Sequence, residues 1–415
     1  MIRRALFFGL VVVAAALFWH ETYLAPPLSP APGAVVATLV GPQDPVVLTA
    51  TEPPPLAAPP PSIRSLNDGF CDPPDEPRAR PHVPLSAAAA RIPGVQSALG
   101  AAEAARKVKD SAAERAALAR ALALAPEEPI LAFGYGLKAI HSPDYPASID
   151  ALSRYLAKVP SDAHITRLRS LLETQVEIQK DFALLRSTRG LSLAYPKDAP
   201  EGAIAPHNAL SVRDAGAALD EIDLALDEAA RLTGTERRKE LYAVLYRDRS
   251  ELLAVTCAPA WSGAVYDGTL RIPLDAGKVT GAHLRHETLH AQLIPSIGTS
   301  PRWFHEGLAQ YFEDRGQFRW RQGFGLMVKN HTYVPFSSLD GSFYVFEQDE
   351  DAMLAYDQSA AMLYLLVERE GEAGIARAVS LLKSGAPADQ LSSALGLTDT
   401  DLLAMLAAKQ PPRGG

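Results

Sequence analysis

The sequence predicts an α+β protein in which a helical region precedes a domain of mixed strands and helices. Two observations carry this. Amphipathic helical stretches fill residues 85 to 186, and from "LSLAYP" (191–196) onward strand-like and helical segments alternate. A chain of 415 residues is long enough for two or more domains. Its 47% hydrophobic and 21% charged content suits a folded core. The expected divisions are 1–24, an export segment; 25–84, a linker; 85–186, a helical region; and 187–408, the α+β domain.

The chain opens Met1-Ile2-Arg3-Arg4, followed by an apolar run from Ala5 to Trp19. A positive start before such a run reads as an export signal. The run is shorter than the ~20 residues that span a bilayer comfortably, which suits a cleaved signal peptide. No clean small-x-small site follows, however, and Trp19 and Tyr23 suit a membrane interface. The favoured expectation is a signal-anchor with Arg3 and Arg4 on the cytoplasmic side. The membrane is then a partner of this segment, and the rest of the chain is periplasmic or extracytoplasmic. Cleavage and secretion is the alternative. Residues 26–84 hold 17 of the 34 prolines, a composition expected to be extended, PPII-like and disordered. Cys71 and Cys257, the only cysteines, either form a disulfide in an oxidising compartment or are two unrelated thiols.

In the helical region, "AAERAALARALALAPEEP" and "YPASIDALSRYLAKVPSDA" each end an amphipathic helix on a proline. Pro126 and Pro160 stand 34 residues apart, the tetratricopeptide period. Counting back, Ala101 and Gly136 fall where paired helices pack closely. Ala121 obeys the next small-residue position and Tyr155 does not. The segment resembles one or two degenerate tetratricopeptide units plus a helix over 162–186, a module for a protein partner; an ordinary helical bundle shares the same spacing.

Beyond it, a helix is expected over 212–233, with Ala218, Ile222, Leu226 and Ala229 or Ala230 on one stripe. "ELYAVLY" (240–246) reads as a buried strand, followed by a short helix over 248–254. "GAVYDGTLRIPL" (263–274) reads as two strands about Asp267-Gly268, a dipeptide suited to a two-residue type I′ turn.

The chemistry lies in "RHETLHAQL" (285–293), which holds His286, Glu287 and His290 as H-E-x-x-H. Helical residues four apart lie on one face a turn apart, so the two imidazoles can meet one ion. Glu287, rotated by ~100°, can face a water instead of the ion. Then comes "TSPRWFHEGLAQYFED" (299–314), where Ser300 and Pro301 are expected as N-cap and first helical residue. On that helix Phe304, Leu308, Tyr311 and Phe312 form an apolar face, and Arg302, Glu306, Gln310 and Glu313 line another. Glu306 follows His290 by sixteen residues, room for a turn and a second helix alongside. Two histidines, one carboxylate and an open fourth position make a hydrolytic zinc arrangement.

H-E-T-L-H followed by W-F-H-E-G-L-A-Q-Y-F-E resembles the gluzincin zinc metallopeptidases, in particular the peptidase MA-like proteins, over about residues 190–400. The resemblance implies a peptidase of peptide or protein substrates holding one Zn2+ per chain. His286, His290 and Glu306 would be its ligands and Glu287 its general base, with the Asp267-Gly268 strands supplying an edge for an extended peptide. Gluzincin aminopeptidases carry G-x-M-E-N; none precedes residue 286, which favours an endopeptidase. Thermolysin-like members place an Asp one turn after the ligand Glu, where this chain has Gln310. His305 stands where the aminopeptidases usually have Asn.

His283 extends the histidine stripe, but the ~10.5 Å axial rise over seven residues keeps it from sharing one ion with His290. Tyr356, in "AYDQS", is the candidate oxyanion donor, with a core tyrosine as the plain alternative; His331 is a second choice. A catalytically inactive binding or scaffold protein of the envelope, acting through the helical repeats, is the rival reading. The net charge of −8 and the lack of a basic stripe argue against nucleic acid. No ~20-residue apolar span surrounds the motif, so it is not expected within a bilayer.

Overall fold

The computed structural model describes residues 84–404 apart from 109, 198–214, 257, 259–261, 275–280, 299–300, 315–331, 334–338, 340–348, 399 and 403. Before residue 84 it describes only two short strands, β1 (Val36–Thr38) and β2 (Ala50–Thr51). The export segment, most of the expected linker, Cys71, Cys257 and His331 lie outside the described residues. Among the described residues no helix is long and apolar enough to cross a membrane.

The fold is α+β, mostly helical with one mixed five-stranded sheet. It comprises two compact units, and their division differs from the expected one. The first gathers the described residues of 62–220 and 238–280, so the sheet belongs with the helical region. The second gathers those of 24–61, 221–237 and 281–415.

In the first unit a one-turn helix α1 (Ala87–Ala90) leads into α2 (Pro93–Lys107), α3 (Ser111–Leu124), α4 (Pro129–Ala139), α5 (Tyr145–Lys158) and α6 (Ala163–Ile178). Aspartates cap three starts: Asp110 accepts from the Ala113 N–H, Asp144 from Ala147 and Asp162 from Ile165. Helix α2 packs along α3, and α4 along α5. At Gly136 an added Cβ would lie 2.7 Å from Leu152, so α4 and α5 approach closely because this residue has no side chain. The Ser148 hydroxyl seals the contact by donating to the Gly136 carbonyl at 2.7 Å. Ala101 is exposed, contrary to expectation; Ala98, Ala102 and Ala105 take the buried face of α2.

The helix expected to reach residue 186 ends at 178. Residues 182–186 instead form β3 (Phe182–Arg186), antiparallel to β4 (Leu191–Pro196). Their turn needs Gly190, whose φ is +90° and whose Cβ would sit 2.2 Å from the Lys239 carbonyl oxygen. The expected boundary at 186/187 therefore falls inside a hairpin. Strand β5 (Leu241–Tyr246) is buried on both faces at the sheet's centre, parallel to β4 and to β7 (Leu270–Pro273). The sheet runs β3-β4-β5-β7-β6, with the two-residue β6 (Val265–Tyr266) at its edge; α8 (Arg249–Val255) follows β5. Tyr266 pairs with Leu270, so the β6–β7 loop has three residues rather than the two of a type I′ turn. Asp267 imposes the longer loop, its carboxylate accepting from the Thr269 N–H at 3.1 Å and from Arg271 Nε at 2.9 Å.

Helix α7 (Ala215–Thr233) runs from the first unit into the second. The second unit continues with α9 (Gly281–Ile297), α10 (Arg302–Glu313), the short β8 (Thr332–Tyr333), α11 (Asp349–Glu370), α12 (Glu372–Lys383) and a closing turn of helix, α13 (Leu391–Ala394). Strands β2, β1 and β8 form a small antiparallel sheet. The unit's core joins Leu289 and Leu293 of α9, Trp303, Phe304, Leu308 and Phe312 of α10, and Met362, Leu363 and Leu366 of α11.

Candidate metal centre

Two helices bring the predicted residues together. On α9, Leu284, Leu289 and Leu293 are fully buried and fix which side of the helix faces the core. That leaves His286 and His290 side by side, their ring centroids 4.9 Å apart.

Helix α10 supplies the carboxylate. It starts one residue later than expected, with Pro301 as N-cap and no capping side chain. The Trp303 N–H is satisfied by the Leu339 carbonyl at 3.0 Å. Four residues on, Gly307 lets α10 lie against α11: a Cβ there would stand 2.3 Å from the Ser359 carbonyl oxygen. Glu306 is thereby held 4% exposed against the two histidines. Its Oε2 is 3.3 Å from His286 Nε2 and 3.4 Å from His290 Nε2. One donor atom each from His286, His290 and Glu306 lies within 4.8 Å of the others, so the three could hold a metal ion.

These separations test the fit. Ligands ~2.0–2.1 Å from a tetrahedral zinc stand about 3.3–3.4 Å from one another. Both carboxylate–imidazole separations match that value. Two nitrogens and one carboxylate oxygen are also a usual donor set for zinc.

The surrounding groups hold the cluster in place. His286 Nδ1 lies 2.8 Å from Glu313 Oε2, so one nitrogen edge of the ring meets Glu306 and the other Glu313. Gln310, which stands where thermolysin-like members have a supporting Asp, instead donates to the Tyr356 carbonyl. Arg302 Nη1 reaches the second oxygen of Glu306 at 3.3 Å. Arg285, beside His286 in sequence, is 3% exposed and locks the helices: it donates to the Phe312 carbonyl at 3.1 Å, pairs with Glu221 and Glu228 of α7, and stacks over the Phe312 ring.

The charges follow from this packing. Burial opposes ionisation of Glu306, but His290, the hydrogen bonds from both histidines, and Arg302 hold its carboxyl well below the usual range. Glu287 is 7% exposed, and burial raises its pKa; the nearby histidines oppose that rise and Glu306 adds to it. A carboxylate tuned upward beside the donors is suited to accept a proton. His305 is fully buried with its ring 6.0 Å from that of His290, and burial, then His290, lower its pKa to about 3. It is neutral, a contact with the site that its place beside Glu306 in sequence does not disclose.

His283 is half-buried and outside the cluster. Tyr356 sits on α11 with its ring packed against the hydrophobic core and is not among the three residues drawn together. A scan of the sequence against protein-family models and a search of curated proteins found no match to the chain.

Proposed function

We propose that this protein is an exported zinc-dependent endopeptidase related to the gluzincin, peptidase MA-like enzymes, with His286, His290 and Glu306 as ligands. The observation that carries the reading is the pair of 3.3 and 3.4 Å separations from Glu306 to the two imidazoles, at the spacing of tetrahedral zinc ligands. A zinc ion held by His286, His290 and Glu306 would supply Lewis acidity for a scissile carbonyl and for an attacking water.

The chain's own residues do the rest. Glu287 accepts the proton of the attacking water and delivers it to the departing amine. Glu306 brings one negative charge and the histidines none when neutral, which leaves the loaded site net positive toward a developing oxyanion. Glu313 fixes the His286 tautomer by accepting from Nδ1–H, which presents the Nε2 lone pair to the ion. Tyr356 is retained as the candidate oxyanion donor.

In the first unit, the close α4–α5 approach at Gly136 and the paired helices support a tetratricopeptide-like module for a protein partner. The signal-anchor reading places the enzyme on the extracytoplasmic side of a membrane.

The test is peptide-library hydrolysis by the zinc-loaded protein, its loss with a chelator and its return with zinc. Cleavage within chains supports the reading, and trimming from chain ends overturns the endopeptidase part. No cleavage by a fully zinc-loaded sample favours the scaffold alternative.

A further inference from the structure

We propose that Arg302 is a positioning residue for the metal centre: it engages one oxygen of Glu306, so that the carboxylate meets an ion through the other oxygen alone. This rests on the zinc reading of the cluster and adds to it how Glu306 is presented. The two oxygens have separate neighbours. Oε2 stands 3.3 Å from His286 Nε2 and 3.4 Å from His290 Nε2. Oε1 accepts from Arg302 Nη1 at 3.3 Å. The Glu306 side chain is 5% exposed and that of Arg302 23%, so this contact is screened less than one on an open surface.

Helix stability does not account for an arginine at this place. Arg302 is the first residue of α10, where the positive end of the helix dipole disfavours a cation. The first turn of α10 holds no acidic residue to offset it. The pair also runs Arg before Glu, the weaker order for an ion pair four residues apart on a helix. What the position does supply is a guanidinium one turn ahead of Glu306, within reach of its Oε1.

The consequence lies in the number of donors. A carboxylate can bind a metal ion through one oxygen or through both. With both engaged, Glu306 and the two histidines would fill all the positions of a tetrahedral site. With one engaged they fill three and leave the fourth open, as a hydrolytic site requires. A charge-assisted hydrogen bond from Arg302 occupies Oε1 and draws negative charge toward it, which leaves Oε2 as the donor beside the imidazoles.

The experiment is cobalt(II) substitution of the full chain, read by visible and X-ray absorption on wild type, Arg302→Met and Arg302→Lys. Wild type should give the intense visible bands of a four-coordinate ion. In Arg302→Met we expect those bands to lose intensity, as Glu306 takes the ion with both oxygens and the site becomes five-coordinate. Arg302→Lys keeps a charged donor four residues ahead of Glu306 and should restore the wild-type bands. A role in folding alone would leave the spectrum unchanged in any variant that takes up the metal. Wild-type bands in Arg302→Met, or the same altered bands in both variants, would overturn the proposal while leaving the zinc reading in place. A wild type that takes up neither cobalt nor zinc would overturn both.

Discussion

Nδ1 of His286 lies 2.8 Å from Oε2 of Glu313, while Nε2 of the same ring faces Glu306 at 3.3 Å. The ring is held between two carboxylates of one helix, two turns apart. On the reading proposed above, Glu306 is a co-ligand and Glu313 the acceptor that sets the tautomer. Glu313→Gln keeps the side chain's size but removes the charge. It should lower zinc affinity by about 10–100-fold with the stoichiometry unchanged. Competition against a chromophoric chelator checks this, and an affinity equal to wild type would remove Glu313 from the site.

Gly307 follows Glu306 because nothing larger fits. Gly307→Ala places a methyl 2.3 Å from the Ser359 carbonyl oxygen, against backbone that cannot rotate away. The two helices must separate, at a cost of about 1–3 kcal/mol or more. Urea unfolding should show that loss, and the proposed zinc site should weaken with it, since Glu306 moves with α10.

Arg285 carries a prediction of a different kind. Its guanidinium satisfies the Phe312 carbonyl and pairs with Glu221 and Glu228. Arg285→Met leaves the Phe312 carbonyl and the half-buried Glu221 without it. The expected cost is about 3 kcal/mol, in the range for breaking a buried pair from one side. Thermal unfolding of the metal-free protein measures it without reference to activity.

His141, in the first unit, gives a pH signature. Burial, followed by the opposing pull of Asp267 and the repulsion of Lys138, Arg271 and Arg238, brings its pKa down to about 4. The folded pKa is below the unfolded value of about 6.5, so the unfolded chain takes up this proton first as the pH falls. The stabilising effect of neutral His141 is therefore complete above pH ~6.5 and lost progressively down to about 4. It amounts to about 3 kcal/mol. Unfolding free energies of wild type and His141→Gln, compared across that window, should converge toward the acid end. A constant difference between them would contradict the assignment.

The sequence disclosed the parts of this molecule that depend on helical period and concealed those that depend on how elements meet. His286 and His290 were legible because residues four apart share a helix face whatever the fold. Glu306 was legible because the second helix announced itself by its apolar stripe. Glu313 lay in view on the same line of α10, but which histidine it meets depends on the crossing of two helices. "FALLR" continues a helical pattern locally, and only its pairing with β4 makes it a strand. The three-residue turn at Asp267 likewise depends on Arg271 reaching back to its carboxylate, a contact that dipeptide preference does not contain.

In the proposed function, His286, His290 and Glu306 hold zinc while Glu287 moves the proton. Zinc content and peptide hydrolysis, measured side by side on wild type and Glu287→Gln, test it most directly. About one zinc per chain is expected in both proteins, with hydrolysis present in wild type and lost in the variant. A wild-type protein that stays zinc-free after supplementation, or a variant that hydrolyses as fast as wild type, would contradict it.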